Sequence, residues 1–160
     1  MRVHVRRIGL AALLAMTATM ARGDFAAGLA AADRGDFEIA MKEWLPLAEN
    51  GFPSAQHNVG LLYEHGWGTK EDAGEALMWF WAAAVQGHVD SQYKLGMLYR
   101  EGKGMTPSPV EAYAWFAVAA RGGLELASAE AWAVLDGLKA EEREQALALA
   151  DVLWDKYGPH

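Results

Sequence analysis

Residues 60–68 read GLLYEHGWG, and the wording returns 36 residues later as GMLYREGKG over 96–104. Glycine opening an otherwise helical run costs about 1 kcal/mol relative to alanine, so its return at a fixed distance needs a cause. The same shift superimposes 55–87 on 91–123 without a gap, with 13 identities in 33 positions. They include Gln56/Gln92, Tyr63/Tyr99, Gly66/Gly102, Glu75/Glu111, Trp79/Trp115, Phe80/Phe116 and Gly87/Gly123. The register also runs backward, since Trp44, Ala48 and Gly51 stand 36 before Phe80, Ala84 and Gly87. A period of this length marks stacked supersecondary units.

Each unit reads as two helices. In the first, Ala55, Val59, Leu62 and Tyr63 (then Ser91, Leu95, Leu98 and Tyr99) share a face at helical spacing. The Gly-x-Gly pair ends that helix, because glycine accepts the left-handed backbone of a helix terminus. The second helix is expected to open on a capping box. Asp72 has Glu75 three residues on, Ser108 has Glu111, and Pro109 takes the first helical position. Trp79, Phe80, Ala83 and Ala84 form its apolar stripe. No segment alternates with period two, so no strand is expected. Gly60 and Gly96 then fall where a neighbouring helix must come close, which favours packing over catalysis.

The ends differ, as the caps of an array should. Residues 24–34 are expected to form a short helix with Phe25, Leu29 and Ala32 inward. Residues 36–50 form a second, carrying Phe37, Met41, Trp44 and Leu45 and bent at Pro46. A final helix from about 140 to 156 is striped by Ala146, Leu149, Leu153 and Tyr157 and polar on its other side.

The pattern small-x-x-x-Val/Leu-Gly-x-x-Tyr-x-x-Gly-x-Gly, followed by Glu-Ala-x-x-Trp-Phe-x-x-Ala-Ala-x-x-Gly, resembles the Sel-one-like repeat (SLR), a relative of the tetratricopeptide repeat. The resemblance covers 24–157 and implies an all-α fold, a short α-α superhelix of antiparallel helix pairs. An N-terminal pair over 24–52 would precede repeats at 53–88 and 89–124 and a degenerate capping repeat at 125–157. It further implies a non-enzymatic scaffold holding a protein or peptide in a groove lined by the first helices. Ser108 departs from the family's usual Asp, and Glu75 and Glu111 replace its Lys, which removes positive charge from that edge.

Arg2, Arg6 and Arg7, the apolar run from Ile8 to Met20, and the small residues Ala21 and Gly23 read as an export leader over 1–23. The 13-residue apolar run is shorter than the roughly 20 residues a spanning helix needs. A periplasmic or secreted chain without stable membrane insertion is therefore expected. Loss of the leader takes four arginines and leaves 10 Lys and Arg against 21 Asp and Glu. So acidic a domain repels nucleic acid phosphates, and nucleic acid is excluded as an expected partner. The sequence has no cysteine, which excludes disulfides and a cysteine-linked lipid.

Ser91-Gln92-Tyr93-Lys94 fits Ser-x-x-Lys, the nucleophile motif of serine β-lactamases and penicillin-binding enzymes. The alternative function is therefore a cell-envelope hydrolase or β-lactam-binding protein using Ser91 and Lys94. Packing is preferred, because Ser91 takes the small inward position of Ala55 and neither Ser-Asp-Asn nor Lys-Thr-Gly accompanies it. Gly102-Lys103-Gly104 closes a helix and lacks a following Ser or Thr, so it is no phosphate loop. His57, His65, His88 and His160 lack metal-ligand spacing, and neither metal nor cofactor is expected. Trp44, Trp79, Trp115, Trp132 and Trp154 fall on apolar stripes and read as core. Trp67 lies between two glycines and is either a partner anchor or a ring folded back on the helix end.

The copies disagree along one face, with His57, Asn58, Leu61, Glu64 and His65 against Tyr93, Lys94, Met97, Arg100 and Glu101. Positions required by the fold repeat, whereas positions that read a ligand diverge. The expected partner-binding residues are His57, Asn58, Leu61, Trp67, Tyr93, Lys94, Met97 and Arg100. Asn58, Lys94 and Arg100 would pair with a carboxylate of the bound peptide.

Overall fold

The structure, a computed structural model, describes residues 23–159. The leader reading lies outside the described residues except for Gly23. The helices are α1 (Phe25–Asp33), α2 (Phe37–Glu49), α3 (Pro53–His65), α4 (Ala73–Ala84), α5 (Val89–Glu101), α6 (Pro109–Arg121), α7 (Glu125–Gly137) and α8 (Ala140–Tyr157). No strand occurs among the described residues. Neighbouring helices pack in chain order from α1 to α7, and α8 turns back onto α6. The result is an all-α superhelix of antiparallel pairs. Its first helices keep strict register, with α3, α5 and α7 starting 36 residues apart.

What the recurring glycine meets is an aromatic ring. A methyl group on Gly60 would come within 2.8 Å of Phe80, and one on Gly96 within 2.5 Å of Phe116. Both phenylalanines are fully buried, so each ring lies flush on a bare α-carbon of the helix before it. The first pair uses the same device. Gly28 lies beneath the indole of Trp44, whose Nε1–H donates to the Phe25 carbonyl at 3.2 Å. Gly28 precedes its ring by 16 residues where Gly60 and Gly96 precede theirs by 20, because the loop between α1 and α2 is four residues shorter than the one between α3 and α4.

The third pair breaks the rule. Trp132 holds the glycine position and Val152 the ring position, and they are 71% and 60% exposed. An indole cannot lie beneath a ring, so α8 packs on α6 around Ala112, Phe116, Ala146 and Ala150. Trp132, expected in the core, therefore faces solvent, while Trp44 and Trp115 are buried as expected. Leu29, expected inward, is also exposed, because Gly28 and Ala31 are the α1 residues turned to the core.

Gly66 and Gly102 end α3 and α5 in left-handed backbone, with φ of 65° and 72°. The capping boxes are not formed. The Asp72 side chain accepts from the amides of Gly74 and Glu75 at 2.9 and 3.0 Å, but the Ser108 side chain makes no cap bond. Glu75 and Glu111 have nothing to reach back for, since each cap residue's own amide is already spent. Asp72 N–H donates to Tyr63 O at 3.0 Å and Ser108 N–H to Tyr99 O at 2.8 Å, which satisfies carbonyls left open at the ends of α3 and α5. Pro46 sits within α2, which runs on to Glu49.

Candidate functional site

The divergent residues lie along α3, α5 and α7, which side-chain bridges join into one strip. Lys94 Nζ donates to Glu64 Oε2 at 2.6 Å, linking α5 to α3. Arg100 Nη1 donates to Glu130 Oε2, linking α5 to α7. Glu64 and Arg100 hold one repeat position, and Lys94 and Glu130 hold another, so the same bridge occurs twice with its charges reversed. Lys94 also lies 5.7 Å from the Phe80 ring centroid and Arg100 5.5 Å from that of Phe116. Each cation therefore rides over a ring that covers a glycine, in the geometry of a cation–π contact.

Toward the start of α5 the strip carries a neutral cluster. His57 Nδ1 is 2.9 Å from Ser91 Oγ, which is 3.1 Å from His88 Nδ1. His88 also caps α5, accepting from the Ser91 amide at 3.3 Å. Burial lowers the His57 pKa to about 4, helped by His88 and Lys94 against the pull of Asp90. Burial likewise lowers His88, against Asp90. Ser91 is completely buried, and Lys94 spends its ammonium on Glu64. The Ser-x-x-Lys pair is thus not assembled as a nucleophile with its base.

Other expected site residues are partly used by packing. Leu61 joins the cluster around Phe80 and Leu95, while Met97 and Tyr93 join the one around Phe116. The Tyr93 ring lies 5.4 Å from Phe116; burial, and then Glu130, raise its pKa against the opposing effect of Arg100. Asn58 is half-buried on the strip. Trp67 folds back, stacked on Phe37 at 4.8 Å and on His65 at 4.4 Å, yet it stays 43% exposed. It sits at the edge of the strip, tied in through His65, which is 3.5 Å from Glu64. Among the described residues no group of three His, Asp or Glu is placed to hold a metal. No described helix is long and apolar enough to cross a membrane.

A family model described as Sel1 repeat matches residues 53–88 and again 89–124. The chain carries Sel1 repeats. Among solved structures, a protective antigen present in uropathogenic Escherichia coli strains, displaying an SLR fold, is similar with a TM-score of 0.74 and 30% identity over 76% of this chain. A Sel1 repeat protein from Oxalobacter formigenes is similar with a TM-score of 0.62 and 35% identity over 74%. The chain spans 26% of the first and 49% of the second. The comparison with curated proteins gives no match.

Within the Sel1 units, Gln56 and Gln92 have a task that sequence reading left unassigned. Gln56 Nε2 donates to Ala48 O and Gln92 Nε2 to Ala84 O, both at 3.1 Å. Each buried amide thereby gives a second hydrogen bond to a carbonyl that already accepts from the Gly51 or Gly87 amide, and ties the first helix of one unit to the second helix of the unit before. The signal was present as a polar identity repeated on the inward side. Glu130 lies beyond the second matched unit, and His88 stands at the junction of the two, where its counterpart Leu124 carries no polar group, so divergence within the repeats points to neither.

Proposed function

We propose that this chain is a non-enzymatic scaffold, exported to the periplasm, that holds a protein or peptide along the strip of α3, α5 and α7. Sel1 repeats are generally protein-interaction scaffolds, and the leader composition supports export. One observation carries the reading. Rows His57/Tyr93/Ala129 and Asn58/Lys94/Glu130 change chemistry in every unit, row Glu64/Arg100/Asp136 reverses its charge from one unit to the next, and row Leu61/Met97/Ala133 changes in size. The rows beneath them, Ala55/Ser91/Ala127 and Val59/Leu95/Ala131, stay small or aliphatic and buried.

A partner carboxylate reaches Lys94 or Arg100 by replacing Glu64 or Glu130. Exposed pairs such as Arg100–Glu130 contribute about 0–1 kcal/mol, so exchange there costs little, whereas the half-buried Lys94–Glu64 pair resists it more. The test is capture from envelope extracts with the parent, with Tyr93→Ala/Arg100→Ala, and with Met78→Ala/Trp81→Ala on the exposed side of α4. A band held by the parent and the α4 variant but lost from the strip variant supports the proposal. A band retained by the strip variant places the partner elsewhere.

A further inference from the structure

We propose that His57, Ser91 and His88 form a pH-sensitive clasp between the first and second Sel1 units, closed while both imidazoles are neutral and released on acidification. The clasp stands on the cluster's geometry, whether or not the strip binds a partner. His88 Nδ1 accepts the Ser91 amide hydrogen at 3.3 Å, so that nitrogen carries no proton. The Ser91 hydroxyl can then donate to the same nitrogen across 3.1 Å. The serine oxygen is left to accept from His57 Nδ1–H at 2.9 Å. With both rings neutral the Ser91 amide, the Ser91 hydroxyl and His57 Nδ1–H each find an acceptor, His88 Nδ1 accepting two of the three, and α3 is thereby tied to the first turn of α5.

A proton on His88 turns its acceptor into a donor aimed at the Ser91 amide and removes the cap of α5. A proton on His57 puts charge at a buried site near Lys94, and the two imidazoles are only 4.8 Å apart. The charged groups facing them come from two helices. Asp90, in the first turn of α5, draws protons in. Lys94 of α5 repels them from His57, its own charge answered by Glu64 of α3. From α4 the cluster receives the Phe80 ring, and the neighbouring Gln86–Gln56 bond at 2.8 Å is neutral. Further along the seam the Glu64–Lys94 bridge remains, so acid loosens one end of the α3–α5 contact first.

Both imidazoles titrate below their ordinary value of 6.5 in the closed state, and His57 does so near 4. The open state therefore takes up protons as pH falls through that window. Clasp stability is full above about 6.5 and is lost toward 4. From His57 alone, the opening equilibrium rises about thirty-fold between about pH 8 and about pH 5.

The experiment follows amide exchange of Ser91 and Gln92 in the full chain across this range, corrected for intrinsic rates, together with the imidazole titrations by NMR. The clasp predicts accelerated exchange on acidification and depressed titration of both rings. His57→Gln/His88→Asn, in which asparagine preserves a cap, flattens the exchange profile. Rings that titrate near 6.5 in the folded parent overturn the proposal without any variant. An exchange profile identical in parent and double variant overturns it too.

Discussion

Gly96 lies against Phe116 so closely that a methyl group on its α-carbon would stand 2.5 Å from the ring. Gly60 and Phe80 repeat the relationship, so Gly60→Ala and Gly96→Ala force a fully buried ring out of place. Overpacking of this kind costs about 1–3 kcal/mol, against a gain in helix propensity of up to about 1 kcal/mol. Both variants are expected to unfold at lower urea concentration than the parent. Gly137→Ala provides the opposite sign. Nothing lies within 4 Å of a methyl group there, so the propensity gain remains and the urea midpoint holds or rises.

The exposed Trp132 separates two kinds of tryptophan that share an apolar stripe. Trp115 is 3% exposed and stacks on Tyr157 at 6.1 Å. Trp115→Ala is expected to cost about 3–5 kcal/mol. Trp132→Ala is expected to change stability by no more than about 0.5 kcal/mol. Denaturation of the two variants side by side checks this; a large loss for Trp132→Ala would mean that the indole is covered.

Much of the fold could be read from the period alone, because a packing constraint that recurs imposes the same residues each time. Gly60, Phe80, Gly66 and Gln56 each have a twin at fixed distance. What could not be read depends on departures from the period. Gly28 serves Trp44 across a loop four residues shorter, so a strict shift misses it. Trp132 looks like core by stripe, and only its coincidence with the glycine position shows that no ring can cover it. The strip was legible as divergence, but its bridges were not. Lys94 and Arg100 were expected free for a carboxylate, and both are held by glutamates on adjoining first helices, Glu64 and Glu130. Pairing between residues 30 apart depends on how first helices stand beside each other, which hydrophobic spacing does not specify.

Ser108 offers a gain. Its backbone φ and ψ of −144° and 105° match the −149° and 104° of Asp72, yet only Asp72 binds amides of its helix with its side chain. Val110 and Glu111 supply the amides equivalent to those of Gly74 and Glu75. Ser108→Asp should complete the cap and also place negative charge at a helix N-terminus. A gain of about 0.5–1 kcal/mol is expected, read as a higher thermal midpoint. An unchanged midpoint would mean that Pro109 holds the turn in a geometry the carboxylate cannot use.

The reversed bridges allow a test of whether their polarity matters. Lys94→Glu sets a second carboxylate against Glu64, where the pair's side chains are 22% and 18% exposed. That substitution is expected to destabilise the α3–α5 seam by at least about 1 kcal/mol, the upper end for exposed pairs, because this pair is half-buried and less screened. Adding Glu64→Lys restores attraction with the polarity of Arg100–Glu130, and most of the loss should return. A double-mutant cycle in denaturant measures the coupling. If the fold needs only attraction, the swapped chain is as stable as the parent. Recognition, by contrast, depends on which helix carries the cation. A swapped chain that folds normally but no longer captures the parent's partner would assign the polarity to binding; one that captures it equally well would show that the partner contacts the strip elsewhere.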